Sequence, residues 1–562
     1  MHFRSALVAC LLVAAPIHTS ASTLSFPMNV VGQDQDGVTL MPDADAFDVL
    51  ASRSSVVLTG VPITSASVVD VELTRVHVAK PEGTLAVDGF MHPEPMDKGL
   101  TLWSGTVRGD VESDVFLAFS LSGSRGWIRT EGRRVDLFAS AVDGVDWSKT
   151  WSKFVPVDPN APNPRAGEFC QAEAIQKIEP RSSVVQPNSG GGSIHTSSAG
   201  FVPIYEAEIG VETDYQFYQL FNDLDAAQAY AVTLMGAVSD RYREQMGVIF
   251  TMPYLGLYTS NNDPWTEQEQ GGDCIDVLYQ FKGAWEFGNG PVSPTPDLYT
   301  MLSGASLGCG VAWLDVLCHD EYNFSVNGNL GGATIFPPAQ GNPGNWDFEV
   351  VAHELGHNFG SPHTHSFCPT PLDECAPSGY FGSCQNQQNC INNGTVMSYC
   401  HLCSGGLNNM TLMFHPTVVS LIRNEVVNSC LNHYEGVTGT TDLGNALAGS
   451  NGTPGLTVSY DDQVSSLSID VGQAPSSQPG LLIFSSTTAF APLLGGILVP
   501  NLSIVVSIGT NGNGDFGATA PFPPTVHFAR GATFYGQAWF NDPAGPNNFA
   551  ATNGLEFELV IP

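Results

Sequence analysis

The feature that most constrains this chain is the run from His353 to His363, which reads HELGHNFGSPH. His353 and His357 are four residues apart, so in a helix both imidazoles lie on one face and can bind the same ion. Gly360 can adopt a positive φ, which ends a helix and turns the chain back, so that His363 can supply a third nitrogen. Three protein ligands leave a fourth position for water, which is typical of a catalytic zinc site rather than a structural one.

Two further residues complete this pattern. Glu354 is close enough to take a proton from a water that is activated at the zinc and to return it to the leaving amine, without being a ligand itself. Met397 lies 34 residues beyond His363 and is expected to form an apolar floor beneath the histidines. The alternative is a buried helix with ordinary core histidines and a plain core methionine, but it requires five fixed residue types to coincide at these spacings.

Charge and the N-terminal residues indicate export. Acidic residues outnumber basic ones 55 to 20, and a net charge of -35 argues against a nucleic acid or an anionic membrane as partner. Residues 1–21 are typical of a signal peptide, in which Arg4 precedes an apolar run and a small-residue cleavage site. No later stretch is a credible membrane span, because the best candidate, 489–508, is interrupted by proline and glycine. We therefore expect a secreted, extracellular protein.

The cysteines agree with an oxidising compartment. The chain has 12 cysteines, of which one lies in the predicted signal peptide. Ten lie between Cys274 and Cys430, a dense and even set that predicts disulfides. Cys400 and Cys403 have the C-x-x-C spacing of redox or zinc sites, but two half-cystines are the preferred interpretation in this region. The remaining cysteine is Cys170.

Composition divides the rest of the chain and predicts an α+β fold. Residues 22–180 form short alternating runs, which predict a β-rich domain. Residues 181–200 are rich in Ser, Gly, Asn and Pro and predict a flexible, protease-accessible linker. Residues 201–435 mix strand-like and helix-like segments, as in a sheet with helices packed against it. Residues 440–562 have no cysteine and many short apolar runs between turns, which predict a β-sandwich.

The histidine motif with Met397 is the signature of the metzincin clan of zinc peptidases. Residues 204–214 (IYEAEIGVETD) resemble the opening strand of reprolysin, or ADAM-type, catalytic domains, and residues 310–313 (GVAW) are similar to the substrate-facing edge strand of that family. The resemblance covers about 201–435. It implies a twisted mixed sheet with helices, a Zn²⁺ cofactor, and a cleft in which an extended protein or peptide substrate lies beside the edge strand.

The same resemblance has further implications. It implies that Cys318 pairs with Cys430. It also suggests that Glu206 or Glu208 contributes to a structural Ca²⁺ site, although an ordinary surface carboxylate is the preferred interpretation. Thr364 is a departure, since reprolysins usually have Asp after the third histidine, and this puts the support of the zinc ligands in question rather than ligation itself.

The N-terminal region has a likeness of its own. Residues 102–109 and 120–128 resemble reprolysin prodomains, which can silence the enzyme by placing a cysteine thiolate on the zinc. Cys170, just before the predicted linker, is in a position to act as such a cysteine switch. However, residues 168–171 (EFCQ) lack the family's Pro-Lys-x-Cys-Gly context. The alternative is a structural or mispaired thiol.

Two functional hypotheses follow. The first is a secreted zinc endopeptidase, made as a zymogen, that hydrolyses peptide bonds of extracellular proteins. The second is a non-catalytic extracellular binding or adhesion protein that retains the protease fold. Inactive relatives usually lose the base or a ligand, whereas here all are present. Residues 440–562 are expected to be an accessory module that serves stability or sorting, or binds a cell-surface or matrix component.

Overall fold

A computed structural model describes residues 22–34, 37–51, 53, 55–142, 146–147, 149–156, 169–170, 205–293, 295–319, 321–332, 345–411, 413–433, 440–461, 466–485, 487–521, 532–545 and 547–559. The predicted signal peptide and linker lie outside these residues. The described residues from 24 to 432 belong to one compact unit and those from His433 onward to another. In the described part of the chain, no helix has the length and apolar character needed to cross a membrane.

The N-terminal region is built almost entirely of strands, as its alternating runs predict. Its elements are β1 (Ser22–Ser25), β2 (Met28–Asp34), β3 (Gly37–Pro42), α1 (Ala44–Ala51), β4 (Ser55–Thr64), β5 (Ser67–Val76), β6 (Ala79–Val87), β7 (Phe90–Met91), β8 (Leu100–Val107), β9 (Asp110–Ser120), β10 (Arg125–Thr130), β11 (Arg133–Ala141), β12 (Thr150–Pro156) and β13 (Phe169–Cys170). Ten of these strands form one sheet in the order β1-β4-β5-β8-β9-β10-β11-β12-β3-β2, which is largely antiparallel. Strands β6, β7 and β13 belong to a second sheet.

That second sheet is mixed and carries helices, as expected for residues 201–435. The elements of this region are β14 (Tyr205–Thr213), α2 (Tyr215–Gln219), α3 (Leu224–Met246), β15 (Val248–Leu257), α4 (Cys274–Trp285), β16 (Leu298–Leu302), β17 (Cys309–Ala312), β18 (Phe324–Asn327), α5 (Asn345–Asn358), α6 (Pro416–Val427) and β19 (Asn432–His433). The sheet order is β13-β17-β18-β16-β14-β15-β6-β7, and β19 pairs with β14. Strand β17 is antiparallel to β18, whereas β18, β16, β14, β15 and β6 run parallel. The N-terminal region therefore supplies the outer strands at both edges.

Helix α3 joins the two regions through a shared core. It begins after Asp223, whose carboxylate accepts a hydrogen bond from the backbone N–H of Ala226 (2.9 Å), and it ends at Gly247 with φ 72°. Its side chains are buried on nearly every face, because the mixed sheet covers one side and strands β8 and β9 cover another. A Cβ at Gly236 would lie 2.4 Å from Leu102 Cδ1, so this glycine lets the N-terminal strands approach the helix closely.

Disulfides brace the region around and after the histidine motif. Ten cysteines form five bonds: Cys274–Cys309, Cys318–Cys430, Cys368–Cys384, Cys375–Cys400 and Cys390–Cys403. Three of these bonds lie within 368–403, a stretch in which the structure has little regular secondary structure. Covalent links there replace the order that helices or strands would otherwise supply.

The C-terminal unit consists of short strands around its own core. They are β20 (Thr440–Asp442), β21 (Gly455–Asp461), β22 (Ser466–Gly472), β23 (Pro479–Ser485), β24 (Thr488–Leu493), β25 (Gly496–Pro500), β26 (Ile504–Gly509), β27 (Phe516–Pro521), β28 (Ala532–Asn541), β29 (Phe549–Ala551) and β30 (Leu555–Leu559). One sheet has the order β20-β30-β28-β23-β26 and another the order β21-β22-β27. Apolar residues of both sheets, such as Val458, Phe484 and Phe557, share one core, which is the packing of a β-sandwich.

Candidate metal centre

Helix α5 and the turn that follows it bring three histidines together. His353 and His357 lie on the helix, one turn apart. The helix ends at Asn358, and Gly360, two residues further on, has φ 91° and donates its N–H to the His357 carbonyl (2.9 Å). Ser361 N–H donates to the Gly356 carbonyl (2.9 Å), and this reversal carries His363 back to the other two rings.

The three Nε2 atoms converge on one point. His363 Nε2 lies 3.1 Å from both His353 Nε2 and His357 Nε2. The Nδ1 atom of His353 lies 2.5 Å from the Val396 carbonyl oxygen, and that of His357 lies 2.7 Å from the Ser361 carbonyl oxygen. Each of these Nδ1 atoms therefore carries the proton, and the Nε2 lone pair faces the common centre.

Cys170 lies at the fourth position of this cluster. Its Sγ is 3.4 Å from His357 Nε2, and the sulfur and the three ring nitrogens all lie within 4.8 Å of one another. Around a tetrahedral zinc, two nitrogen ligands are about 3.3 Å apart, and a nitrogen and a sulfur are about 3.5 Å apart. The spacing of the four donor atoms therefore fits a zinc ion, and the donor types are those that zinc prefers.

Glu354 faces the same space from the helix. Its side chain is fully buried, and its Oε2 lies 3.5 Å from Cys170 Sγ. Gly310, on strand β17, leaves room for it, since a Cβ there would lie 2.4 Å from Glu354 Oε1 and 2.6 Å from Val350 Cγ2. The carboxylate is thus held between the edge strand and the metal position, within reach of a water bound there.

Met397 packs against helix α5 within the histidine motif. Met397 is fully buried, and a Cβ at Gly356 would lie 2.6 Å from its Sδ, so the glycine in the motif allows the methionine to approach the helix. Thr364, the departure from the family pattern, donates both its N–H (2.9 Å) and its Oγ1 hydroxyl (3.1 Å) to the Met397 carbonyl. These bonds fix the segment that carries the third histidine. Thr364 therefore contributes a tether to the Met-turn where a carboxylate is usual.

Strand β13 holds Cys170 in the cleft. It pairs in parallel with β17, with Phe169 opposite Cys309 and Cys170 opposite Gly310. The Tyr399 hydroxyl donates a hydrogen bond to the Cys170 carbonyl (2.7 Å), and Cys170 is 4 % exposed. Sequence reasoning missed Tyr399, although its position two residues after Met397 was the available signal.

The two candidate calcium ligands have a different partner. Lys80, from strand β6, contacts both Glu208 and Glu206, the latter at 3.5 Å. Glu206 also accepts a hydrogen bond from Thr251 Oγ1 (2.7 Å). The backbone N–H of Glu208 donates to Asp297 Oδ2 (2.8 Å). Because both carboxylates already contact the ammonium group of Lys80, this structure gives calcium no support.

Comparisons with known proteins agree with the chemistry of this centre. The family model Reprolysin_5, described as metallo-peptidase family M12, matches residues 206–410. The chain is 25% identical over 170 residues to the disintegrin and metalloproteinase domain-containing protein B of Aspergillus fumigatus, a match that covers 28% of this chain and 20% of the relative. The chain thus spans about a fifth of that relative's length.

Among solved structures, the crystal structure of metalloproteinase-II from Bacteroides fragilis is 11% identical and covers 62% of this chain and 91% of that one. Its TM-score is 0.33, too low to support an argument about the fold. The assignment therefore rests on the family match and the fungal relative. Residues 206–410 therefore resemble a reprolysin-type metzincin domain of metallopeptidase family M12.

Proposed function

We propose that this chain is a secreted zinc endopeptidase that is made as an inactive precursor. His353, His357 and His363 would hold the zinc through their Nε2 atoms, and Glu354 would be the general base and acid. The convergence of the three Nε2 atoms with Cys170 Sγ at a zinc-like spacing is the observation that carries the proposal.

The residues of the chain then divide the work of peptide hydrolysis. Zinc, when bound, supplies a Lewis acid that polarises the peptide carbonyl and lowers the pKa of water. Glu354 accepts a proton from the attacking water and delivers it to the leaving amine. The Val396 and Ser361 carbonyls keep two of the imidazoles in the ligating tautomer. Strand β17 offers its outer backbone groups to an extended peptide substrate.

Cys170 would keep the precursor inactive in two ways. Its sulfur lies at the position that water must take, and its strand pairs with the edge of β17 on which an extended substrate is expected. Cleavage within residues 181–200, followed by departure of strand β13, would free the water position at the metal centre and the edge of β17. The 10 residues between Cys170 and residue 181 are enough to let a cut chain end move away, since an extended chain spans about 3.3 Å per residue.

A three-variant assay tests the proposal on the full chain, before and after limited proteolysis. We expect the uncut wild type to hold one zinc and to cleave casein or a peptide library poorly. Uncut Cys170→Ser should be more active than uncut wild type but less active than the cut enzyme, because strand β13 still covers β17. Glu354→Ala should keep its zinc and lose activity by at least about a hundredfold, whether cut or not. Zinc content measured on the same samples separates a lost metal from a lost base.

The outcomes distinguish the parts of the proposal. Equal activity of uncut wild type and Cys170→Ser would refute the inhibitory role of the cysteine. Activity that persists in Glu354→Ala would refute the mechanism. If cut, zinc-loaded wild type and cut, zinc-loaded Cys170→Ser both cleaved nothing in the library, the endopeptidase function would be refuted in favour of a non-catalytic binding protein.

A further inference from the structure

Glu349 is a buried acid that the proposed mechanism does not use. It lies on helix α5 one turn before His353 and is 2 % exposed. Neither of its carboxyl oxygens has a hydrogen-bonding partner among the described residues. Burial raises the pKa of Glu349 well above its usual range. Even a neutral carboxyl has a proton to donate and an oxygen that accepts, so a buried one without partners requires an explanation.

Glu349 helps to line a cavity that lies beside the metal centre, since His353 and Cys170 line it too. The other residues that line it are Trp346, Val350, Glu354 and His401. Its volume is about 10 Å³, which is the space of roughly one water molecule. Because Cys170 forms part of the wall, departure of strand β13 would enlarge this cavity and open it to the substrate cleft.

The charge of the protein favours a cationic occupant. A buried carboxyl forms its strongest hydrogen bonds with a Lys or Arg side chain. The chain offers few such groups itself, since it has 20 basic residues against 55 acidic ones and no lysine after Lys282. Its strongly negative charge also attracts basic peptides over long range.

We propose that Glu349 is a specificity-determining residue, and that its cavity binds a Lys or Arg side chain of the substrate next to the scissile bond. This inference rests on the proposed endopeptidase function. The pocket shares Glu354 with the reaction centre, so the side chain that enters it belongs to a residue flanking the bond that is cut. The basic group would ionise Glu349 and supply the partner that its two oxygens lack.

Matched peptides test this inference. Internally quenched peptides carry Lys, Arg or norleucine in turn at each position flanking the cleaved bond. Lys and norleucine have side chains of similar length but differ in charge. The peptides are incubated with three proteins that have been cut within residues 181–200: the wild type, Glu349→Gln and Glu269→Gln. Glu269→Gln is the control, because it removes the same charge from an exposed site. We expect wild type to favour the basic peptide by at least about tenfold in kcat/KM, since a hydrogen bond to a charged group typically gives this factor or more.

The preference should fall at least about tenfold in Glu349→Gln and stay unchanged in Glu269→Gln. If wild type cleaved the Lys and norleucine peptides equally well, the inference would be overturned without recourse to any variant. A preference that survives Glu349→Gln would overturn it too, and a melting curve would show that this variant is folded. No cleavage of any peptide by wild type would instead refute the endopeptidase function, and this inference with it.

Discussion

Gly310 lies against Glu354, the proposed base. Replacing this glycine therefore tests the role of Glu354. In Gly310→Ala, the new Cβ would lie 2.4 Å from Glu354 Oε1 and 2.6 Å from Val350 Cγ2. An ordinary contact at these atoms begins near 3.4 Å. The carboxylate, the strand or both must therefore move by about 1 Å, and a misplacement of that size can lower a rate about a hundredfold. The three heavy atoms nearest to the new Cβ belong to Glu354 and Val350, and none of them to a histidine.

We therefore expect kcat of processed Gly310→Ala to fall about a hundredfold while zinc content stays at the wild-type level. Gly283→Ala is the matched control, because a Cβ there meets nothing within 4 Å and alanine favours helix α4 by about 0.5–1 kcal/mol. Peptide hydrolysis, zinc content and a melting curve are measured on both variants. Wild-type kcat in Gly310→Ala would refute the argument that this glycine positions the base, and loss of zinc would show that the clash acts on the ligands instead.

Three stability predictions follow. The buried Asp214 has its pKa raised to about 6, chiefly by burial, so the stability it provides is fully present below pH 3.8 and is lost as pH rises through about 6. The shift of this pKa from 3.8 to about 6 is equivalent to about 3 kcal/mol of stability. Asp214→Asn should therefore flatten the dependence of Tm on pH between these two values, and an unchanged slope would contradict the argument. Replacing both Cys318 and Cys430 by serine opens a loop of 112 residues. The free energy of unfolding measured in urea should then fall by about 4–5 kcal/mol. A fall of less than about 1 kcal/mol would contradict a loop-closure effect. Phe116→Ala should lower the free energy of unfolding by about 3–5 kcal/mol in a single transition, whereas separate transitions would argue against a core shared with helix α3.

The local part of the metal centre could be predicted from the sequence, because its geometry is set by spacing along one helix and one turn. His353, Glu354, His357 and His363 lie within eleven residues, and their distances follow from helical periodicity and a glycine reversal. The mixed sheet with helices followed in the same way from alternating and helical runs. These features depend on neighbours in sequence, which a single chain displays directly.

The rest depends on contacts between distant residues. Cys170 lies 184 residues from Glu354, so its place beside the base could be suspected only from a family resemblance. The contact of Lys80 with Glu206 and Glu208 depends on the pairing of strand β6 with β15. No local sequence pattern predicts that pairing. The pairing of the six cysteines between Cys368 and Cys403 likewise depends on how the stretch after the motif folds.

The sheet edges have a practical consequence for truncated forms of this protein. A chain beginning at residue 201 would lack strand β6, and the backbone of β15 from Met252 to Leu257 would lose its hydrogen-bonding neighbour. The face of helix α3 that contacts Leu102 and Phe116 would become exposed to water at the same time. A bare strand edge beside an exposed apolar surface is a template for self-association. Recombinant production should therefore retain the N-terminal strands, covalently or by co-expression, even when only the peptidase portion is wanted.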